Sequence, residues 1–215
     1  MYLVDYIVIC LETLLGLNKF FKAIETAVDK VYPKDYIPTL GLSSGTDSGV
    51  IAAALYSLNR KFLVVSVKGI EEFDILKARI QFLEEQAIII DTYDIDSIHN
   101  QMIKAGFEKG KGTGIGIGTP HFLLAQYCSK VLYSGICTDE YYNKHNDLFE
   151  KFLYFSNKAY SYFNIKVLTP LLDPIVVKEY SSLEPKNRIQ YKDPFRMYMK
   201  EKNFPYTNNK INFEI

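Results

Sequence analysis

Short apolar runs that alternate with helix-patterned segments limit what this chain can fold into. The clearest run is KFLVVSV (61–67), continuous and rich in β-branched residues, as a strand covered on both faces requires. YIPTLGL precedes it, with Pro38 tolerable only near the strand's start, and AIIID and KVLYSG (130–135) follow. LNKFFKAIETAVDKVY, FDILKARIQFLEEQ and DIDSIHNQMIKA carry apolar residues at helical spacing, and Val50, Ile51, Ala54, Leu55 and Leu58 give another helix a buried face. TPHFLLAQYCSK reads as a helix opened by Thr119 as N-cap with Pro120 in its first turn. Strand and helix thus alternate four times, which predicts an α/β fold: a parallel sheet with helices on both faces. With 215 residues, 48% of them hydrophobic, one core of ordinary size is available, so residues 1–215 are expected to form a single domain.

Charge and cysteine usage narrow the function classes. Lys+Arg and Asp+Glu both number 25, so no global basic field recruits nucleic acid, and it is not an expected partner. Cys10, Cys128 and Cys137 are far apart and form no C-x-x-C pair, which leaves no disulfide framework, zinc knuckle or redox motif and fits a reducing cytoplasm. MYLVDYIVICLETLLGL is apolar, but Asp5 and Glu12 interrupt it and no basic segment precedes it. It reads as core or interface structure, and no membrane partner is expected.

In a parallel α/β sheet ligands sit at the carboxyl ends of the strands. The first expected strand ends in Leu42-Ser43-Ser44-Gly45-Thr46-Asp47-Ser48, and the fourth in Ser134-Gly135-Ile136-Cys137-Thr138-Asp139-Glu140. Each offers hydroxyls, a glycine and an acid. Loop amides and hydroxyls that lead into a helix N-terminus suit an anion. A carboxylate there is repulsive unless a cation intervenes, so Asp47 and Asp139 point to Mg²⁺ bridging to phosphate oxygens. The plainer reading of Ser43–Ser48 is a capped turn with Asp47 in the first helical turn. No G-x-x-x-x-G-K-[ST] loop occurs. The glycine run GKGTGIGIG (110–118) reads as a lid or a loop without chemistry of its own. His99, His121 and His145 lack metal-ligand spacing, and Cys137 reads as a packing residue.

LSSGTDSG resembles the S-G-G-x-D-S pyrophosphate loop of the N-type ATP pyrophosphatases, and four further stretches in order resemble the synthetase domain of the asparagine synthetase family, including β-lactam synthetase. YSGICTDEYY is similar to the family's S-G-E-G-A-D-E-L-F, and TPLLDPIVVKEYSSLEPKNRI to its V-P-F-L-D segment. YKDPFRMYMKEKNFP matches K-x-x-x-R…L-P through Lys192 and Arg196, and NKINF matches the closing R-x-K-x-G-F through Lys210. The resemblance runs from about residue 18 to 213. It implies ATP and Mg²⁺ as cofactors and adenylation of a carboxylate with release of pyrophosphate, followed by transfer of the acyl group to ammonia or an amine. On that footing Ser43, Ser44, Gly45, Thr46, Asp47, Ser48 and Lys192 would hold phosphates, and Leu42, Ser66, Val67, Ser134 and Gly135 would line the nucleotide site. Asp47 and Asp139 would hold the metal, and Lys210 would neutralise charge at the α-phosphate.

Four departures qualify the expectation. Ser44 replaces the loop's second glycine, and YYNKHND replaces the residues after D-E. Ile136 stands where the family has an acid or tyrosine that handles the amine's proton, leaving Glu140 or Tyr141 as substitutes. Residue 2 is Tyr, so no glutaminase nucleophile is expected in this chain, and ammonia or the amine would come free or from a separate partner. Two alternatives remain: adenylation of a nucleotide or tRNA base on the same fold, and a catalytically reduced ATP-binding protein.

Overall fold

The computed structural model describes residues 2–67, 73–84, 87–91, 93–108 and 114–206. The chain runs α1 (Tyr2–Lys30), β1 (Thr39–Gly41), α2 (Thr46–Ser57), β2 (Leu63–Val67), α3 (Phe73–Leu83), β3 (Ala87–Ile90), α4 (Ile95–Lys104) and α5 (Gly114–Ala125). It continues through β4 (Val131–Tyr133), α6 (Thr138–Tyr142), α7 (Asn146–Tyr162), β5 (Lys166–Leu168), α8 (Pro174–Ser181) and α9 (Asp193–Glu201), with 3₁₀ turns at Pro170–Leu172 and Pro185–Asn187. The strands pair in parallel in the order β3-β2-β1-β4-β5. This is the α/β architecture that the alternation predicts, with a Rossmann-like order.

Two apolar layers cover the sheet. Phe20, Ile24, Ala27 and Val28 of α1, the Val50–Leu55 run of α2, Leu76 and Leu83 of α3, Val176 of α8 and Phe195, Tyr198 and Met199 of α9 form one. Ile98 and Met102 of α4, Ile115, Phe122 and Leu123 of α5 and Ala159 of α7 form the other. β2 divides between them by simple alternation, Val64 facing the first layer and Val65 and Val67 the second. From β1 the chain winds outward to β3, then returns to β4 on the other side of β1. The switch point is therefore the crevice between the carboxyl ends of β1 and β4.

Two expectations need correction. β5 was not among the four expected strands. It is three residues long, lies at the edge of the sheet and buries only Leu168 fully, too little for an alternation to register. The second concerns the glycine run, of which Gly114–Gly118 is helical, so α5 begins before Thr119 and holds Pro120 inside. Thr119 is no N-cap: its hydroxyl donates to the Ile115 carbonyl at 2.6 Å. Packing overrides glycine's poor propensity here, because a Cβ on Gly118 would lie 2.7 Å from the Phe107 ring and 3.0 Å from Met102 Cε. The apolar N-terminal stretch lies in α1, and among the described residues no helix is long and apolar enough to cross a membrane.

An aromatic cluster fastens α9 to the rest of the first layer. Phe195 is fully buried and lies 5.3 Å from Phe20, 5.4 Å from Tyr142 and 5.9 Å from Tyr180, ring centre to ring centre. Removing that ring leaves a cavity beneath the start of α9. Phe195→Ala is expected to lower the unfolding free energy by about 3–5 kcal/mol, measured by urea denaturation. Wild-type stability in this variant would contradict the packing.

Candidate functional site

Leu42 continues the parallel ladder one residue beyond β1, its N–H donating to the Val65 carbonyl at 2.9 Å. The chain then turns through Ser43, Ser44 and Gly45 into α2. Gly45 is the N-cap in extended backbone, and no side chain caps the helix. The turn is instead held by its serines. Ser48 Oγ accepts from the Ser43 N–H at 3.0 Å and lies 2.7 Å from Ser43 Oγ, which accepts from the Gly45 N–H at 3.1 Å. Of the four loop hydroxyls expected at phosphates, those of Ser43 and Ser48 are thus bonded within the loop.

The second strand end is laid directly on this turn. A Cβ on Gly135 would lie 2.6 Å from Asp47 Cβ and 3.1 Å from both the Asp47 carbonyl carbon and the Ser48 nitrogen, so only glycine permits the approach. Ser134 donates its N–H to the Leu168 carbonyl at 2.9 Å and accepts at Oγ from the Ile136 N–H at 3.2 Å. Cys137 then takes the left-handed conformation, φ 64°, to start α6. Its thiol is buried and pushed up to about 12, chiefly by burial, which makes it inert at neutral pH.

Asp47, Asp139 and Lys192 meet at this junction. Lys192 Nζ lies 2.9 Å from Asp139 Oδ1, 3.0 Å from Asp139 Oδ2 and 3.7 Å from Asp47 Oδ2. Lys192 is placed there as the residue that opens α9. Among the described residues, Asp47 Oδ1 is buried without a hydrogen-bond partner. Burial, and next the charge of Asp139, hold the Asp47 carboxyl well above its ordinary range, with Lys192 opposing. Glu140 is also raised, by burial first, while Lys192 and His145 oppose. Two further hydroxyls are buried and unpartnered, Ser66 Oγ at the end of β2 and Thr138 Oγ1 at the start of α6. Val67 is buried at the β2 end.

These residues fit a small hard cation held jointly with a ligand. The facing carboxylates and the orphaned Asp47 Oδ1 ask for more positive charge than one ammonium supplies. Mg²⁺ typically takes one or two protein carboxylates and fills its other positions with phosphate and water. Among the described residues no group of three or more His, Cys, Asp or Glu could hold a metal ion.

Other expected residues lie elsewhere. Arg196 bonds Gln190 Oε1 at 3.1 Å and Asp193 Oδ1 at 3.4 Å, near its own helix start. His121 is 3.0 Å from the Tyr160 hydroxyl between α5 and α7, and burial lowers it to about 4. His145 is exposed at the start of α7. Lys210 lies outside the described residues. A concavity of about 460 Å³ is lined by Glu150, Leu153, Tyr154, Asn157, Lys158 and Ser161 of α7 alone and includes no strand-end residue.

Arg79 is the site residue that sequence reasoning missed. It is fully buried under the first loop, where Nη1 donates to the carbonyls of Ser43 and, at 2.8 Å, Gly45, and Nε donates to the Pro205 carbonyl at 3.0 Å. A signal existed: Leu76, Arg79 and Leu83 share one helical face, and only the arginine in that row is charged.

No family model matches the chain, and no curated protein matches it.

The raised carboxyl at Asp47 has a consequence for stability. Between the unfolded value near 3.8 and the higher folded value, the folded chain binds more protons than the unfolded one. Stability is therefore highest below that window and falls as pH rises through it, at up to about 1.4 kcal/mol per pH unit for one group. Asp47→Asn is expected to be more stable than the wild type at pH 7, with the difference vanishing near pH 4. Chemical denaturation across pH tests it; a neutral-pH loss of stability would contradict the assignment.

Proposed function

We propose that this protein is an ATP-dependent carbon–nitrogen ligase that adenylates a carboxylate and passes the acyl group to ammonia or an amine. The observation that carries the reading is the junction at the strand switch point, where Asp47 and Asp139 share Lys192 beside the N-terminus of a twelve-residue helix. Two acids at two strand ends otherwise suited to anions make sense when a cation lies between them and a phosphate. The resemblance of five ordered stretches to the asparagine synthetase family supplies the reaction type.

In this reading the loop 43–48 and the α2 N-terminus hold the β- and γ-phosphates, with Lys192 supplying a movable positive charge. Asp47 and Asp139 would hold Mg²⁺, which would supply positive charge to the phosphate oxygens. Ser66, Val67, Ser134 and Gly135 line the nucleoside side. An oxygen of the substrate carboxylate attacks the α-phosphorus, the bond to the β-phosphate's bridging oxygen breaks, and pyrophosphate leaves with the electron pair. Lys210 stabilises the charge that develops on the α-phosphate. The amine nitrogen then attacks the acyl carbon, AMP leaves, and the nitrogen gives up a proton. Ile136 cannot accept it. Glu140, beside Asp139 and with its carboxyl raised by burial, is the group that this reading assigns to accept it.

One observation favours a second reading. With Ile136 at the proton-handling position and the Ser43 and Ser48 hydroxyls bonded to each other, a reduced protein that binds ATP without forming amides is the alternative.

A panel of carboxylates with ATP and Mg²⁺, followed by pyrophosphate release and mass detection of an acyl-adenylate, separates the two. Asp139→Ala should lose Mg²⁺-dependent ATP affinity. Lys210→Ala should keep most affinity and lose turnover, because its contact is made mainly in the transition state. Absence of pyrophosphate release with every carboxylate favours the alternative.

Ile136→Glu tests the amide-forming half. A positioned base contributes about 10²–10⁴-fold, so with a carboxylate that is adenylated this variant should gain ammonia-dependent turnover. An unchanged rate in Ile136→Glu and a normal rate in Glu140→Gln together would remove both residues from proton transfer.

A further inference from the structure

A fully buried arginine beneath the first strand-end loop is not explained by packing. Arg79 reaches from α3 to two carbonyls of that loop, Ser43 and Gly45, and to the Pro205 carbonyl beyond α9, with Met199 Sδ 4.0 Å from Nη2. The molecule makes room for it at a second position. A Cβ on Gly49, in the first turns of α2, would lie 2.6 Å from Arg79 Nη2, 2.8 Å from its Cζ and 2.8 Å from Met199 Sδ. The guanidinium is pinned by its acceptors, so it cannot step aside without breaking bonds.

The peptide geometry gives these bonds a direction. The described chain contains no cis peptide, so in each unit the C=O and the following N–H point opposite ways. With the Ser43 and Gly45 carbonyls turned onto Arg79, the N–H groups of Ser44 and Thr46 are directed away from it. For Thr46 that direction is out of the N-terminal end of α2, since the Gly45 carbonyl also accepts the helical bond from the Gly49 N–H at 3.3 Å. A cation at this depth is screened little by solvent. The buried hydroxyls of Ser66 and Thr138, which lack partners at the neighbouring strand ends, are further groups that a ligand there could satisfy.

We propose that Arg79 is a positioning residue that makes the loop an anion site, orienting its amides toward phosphate, adding positive charge from behind and tying the loop to the Pro205 carbonyl beyond α9. The inference rests on the reading of the loop as an anion site and not on the ligase chemistry. It assigns Arg79 no contact with substrate.

The experiment measures inorganic pyrophosphate binding with Mg²⁺ by calorimetry, together with thermal unfolding and the ¹⁵N amide resonances of Ser44 and Thr46. Arg79→Met keeps an apolar stem and should bind pyrophosphate at least about tenfold more weakly, as loss of hydrogen bonds to a charged group implies. Arg79→Lys keeps the charge without the fork and should recover part of the affinity, whereas a purely structural role predicts that Lys and Met behave alike. Gly49→Ala leaves Arg79 in the chain and favours helix at α2, yet should weaken binding and shift both amides by displacing the guanidinium. It decides the matter where Arg79→Met does not fold. Wild-type affinity in folded Arg79→Met, or in Gly49→Ala, overturns the inference. Failure of the wild type to bind pyrophosphate overturns it as well. Pyrophosphate binding that falls in these variants, in a protein that adenylates nothing, sustains the inference and sinks the ligase reading.

Discussion

The contact between Gly135 and the first turn of α2 is the constraint on which the site depends. A side chain there would have to occupy the volume of Asp47 Cβ, so the end of β4 lies against the end of β1 with backbone rather than side chains between them. That approach brings Asp139, four residues past Gly135, within reach of the same ammonium that touches Asp47. The charge cluster thus follows from one missing methyl group and the parallel pairing of β1 with β4. Pairing in the order β3-β2-β1-β4-β5 does the rest, because only at the turn-back point do adjacent strand ends leave a crevice.

A junction of this kind is costly to fold. Burial and a like charge raise the Asp47 carboxyl, and among the described residues the buried oxygens Asp47 Oδ1, Ser66 Oγ and Thr138 Oγ1 at the strand ends lack hydrogen-bond partners. Each unsatisfied group costs about 1–3 kcal/mol. The offset lies a layer away, where the rings of Phe20, Tyr142, Tyr180 and Phe195 pack edge-on or stacked and fasten α1, α6, α8 and α9 together. Each such ring brings about 1.5–3 kcal/mol of burial. The elements that carry Lys192 and Asp139 are therefore rigid for reasons unconnected with the charges they present.

Much of the architecture was legible because it rests on periodicity. Leu63–Val67 of KFLVVSV is a strand and Phe73–Leu83 of FDILKARIQFLEEQ a helix in the structure as in the pattern, and both acid-bearing strand ends lie where a parallel sheet would put them. What failed to register was set by contacts distant in sequence. Nothing local marks Lys166–Leu168 as a strand, since its definition comes from pairing with β4. The glycines of 114–118 read as loop because propensity argues against helix, while the close approach of Phe107 requires a residue without a Cβ at Gly118. In the candidate site, the spacing of the two acids was visible, and Lys192 entered through a resemblance. Arg79 was visible only as an anomaly on an apolar face, because its partners are carbonyls contributed by residues 36 and 34 positions before it and by Pro205.

Under the proposed function, the charges at the junction set how a divalent cation and Lys192 would share it. One ammonium faces two carboxylates and sits closer to Asp139, at 2.9 Å, than to Asp47, at 3.7 Å. Asp47 is the more enclosed of the two, with 15% of its side chain exposed against 45% for Asp139, and it keeps an oxygen that nothing satisfies. A doubly charged ion placed between the acids would compensate both at once, but it cannot share the space with an ammonium at that distance without strong repulsion. The lysine is suited to give way. Its charge sits on a flexible four-carbon stem, and its backbone, at the start of α9, is held by the helix rather than by the ion pair. In that reading the ammonium would leave the carboxylates for the phosphate while α9, which its backbone opens, stays in place.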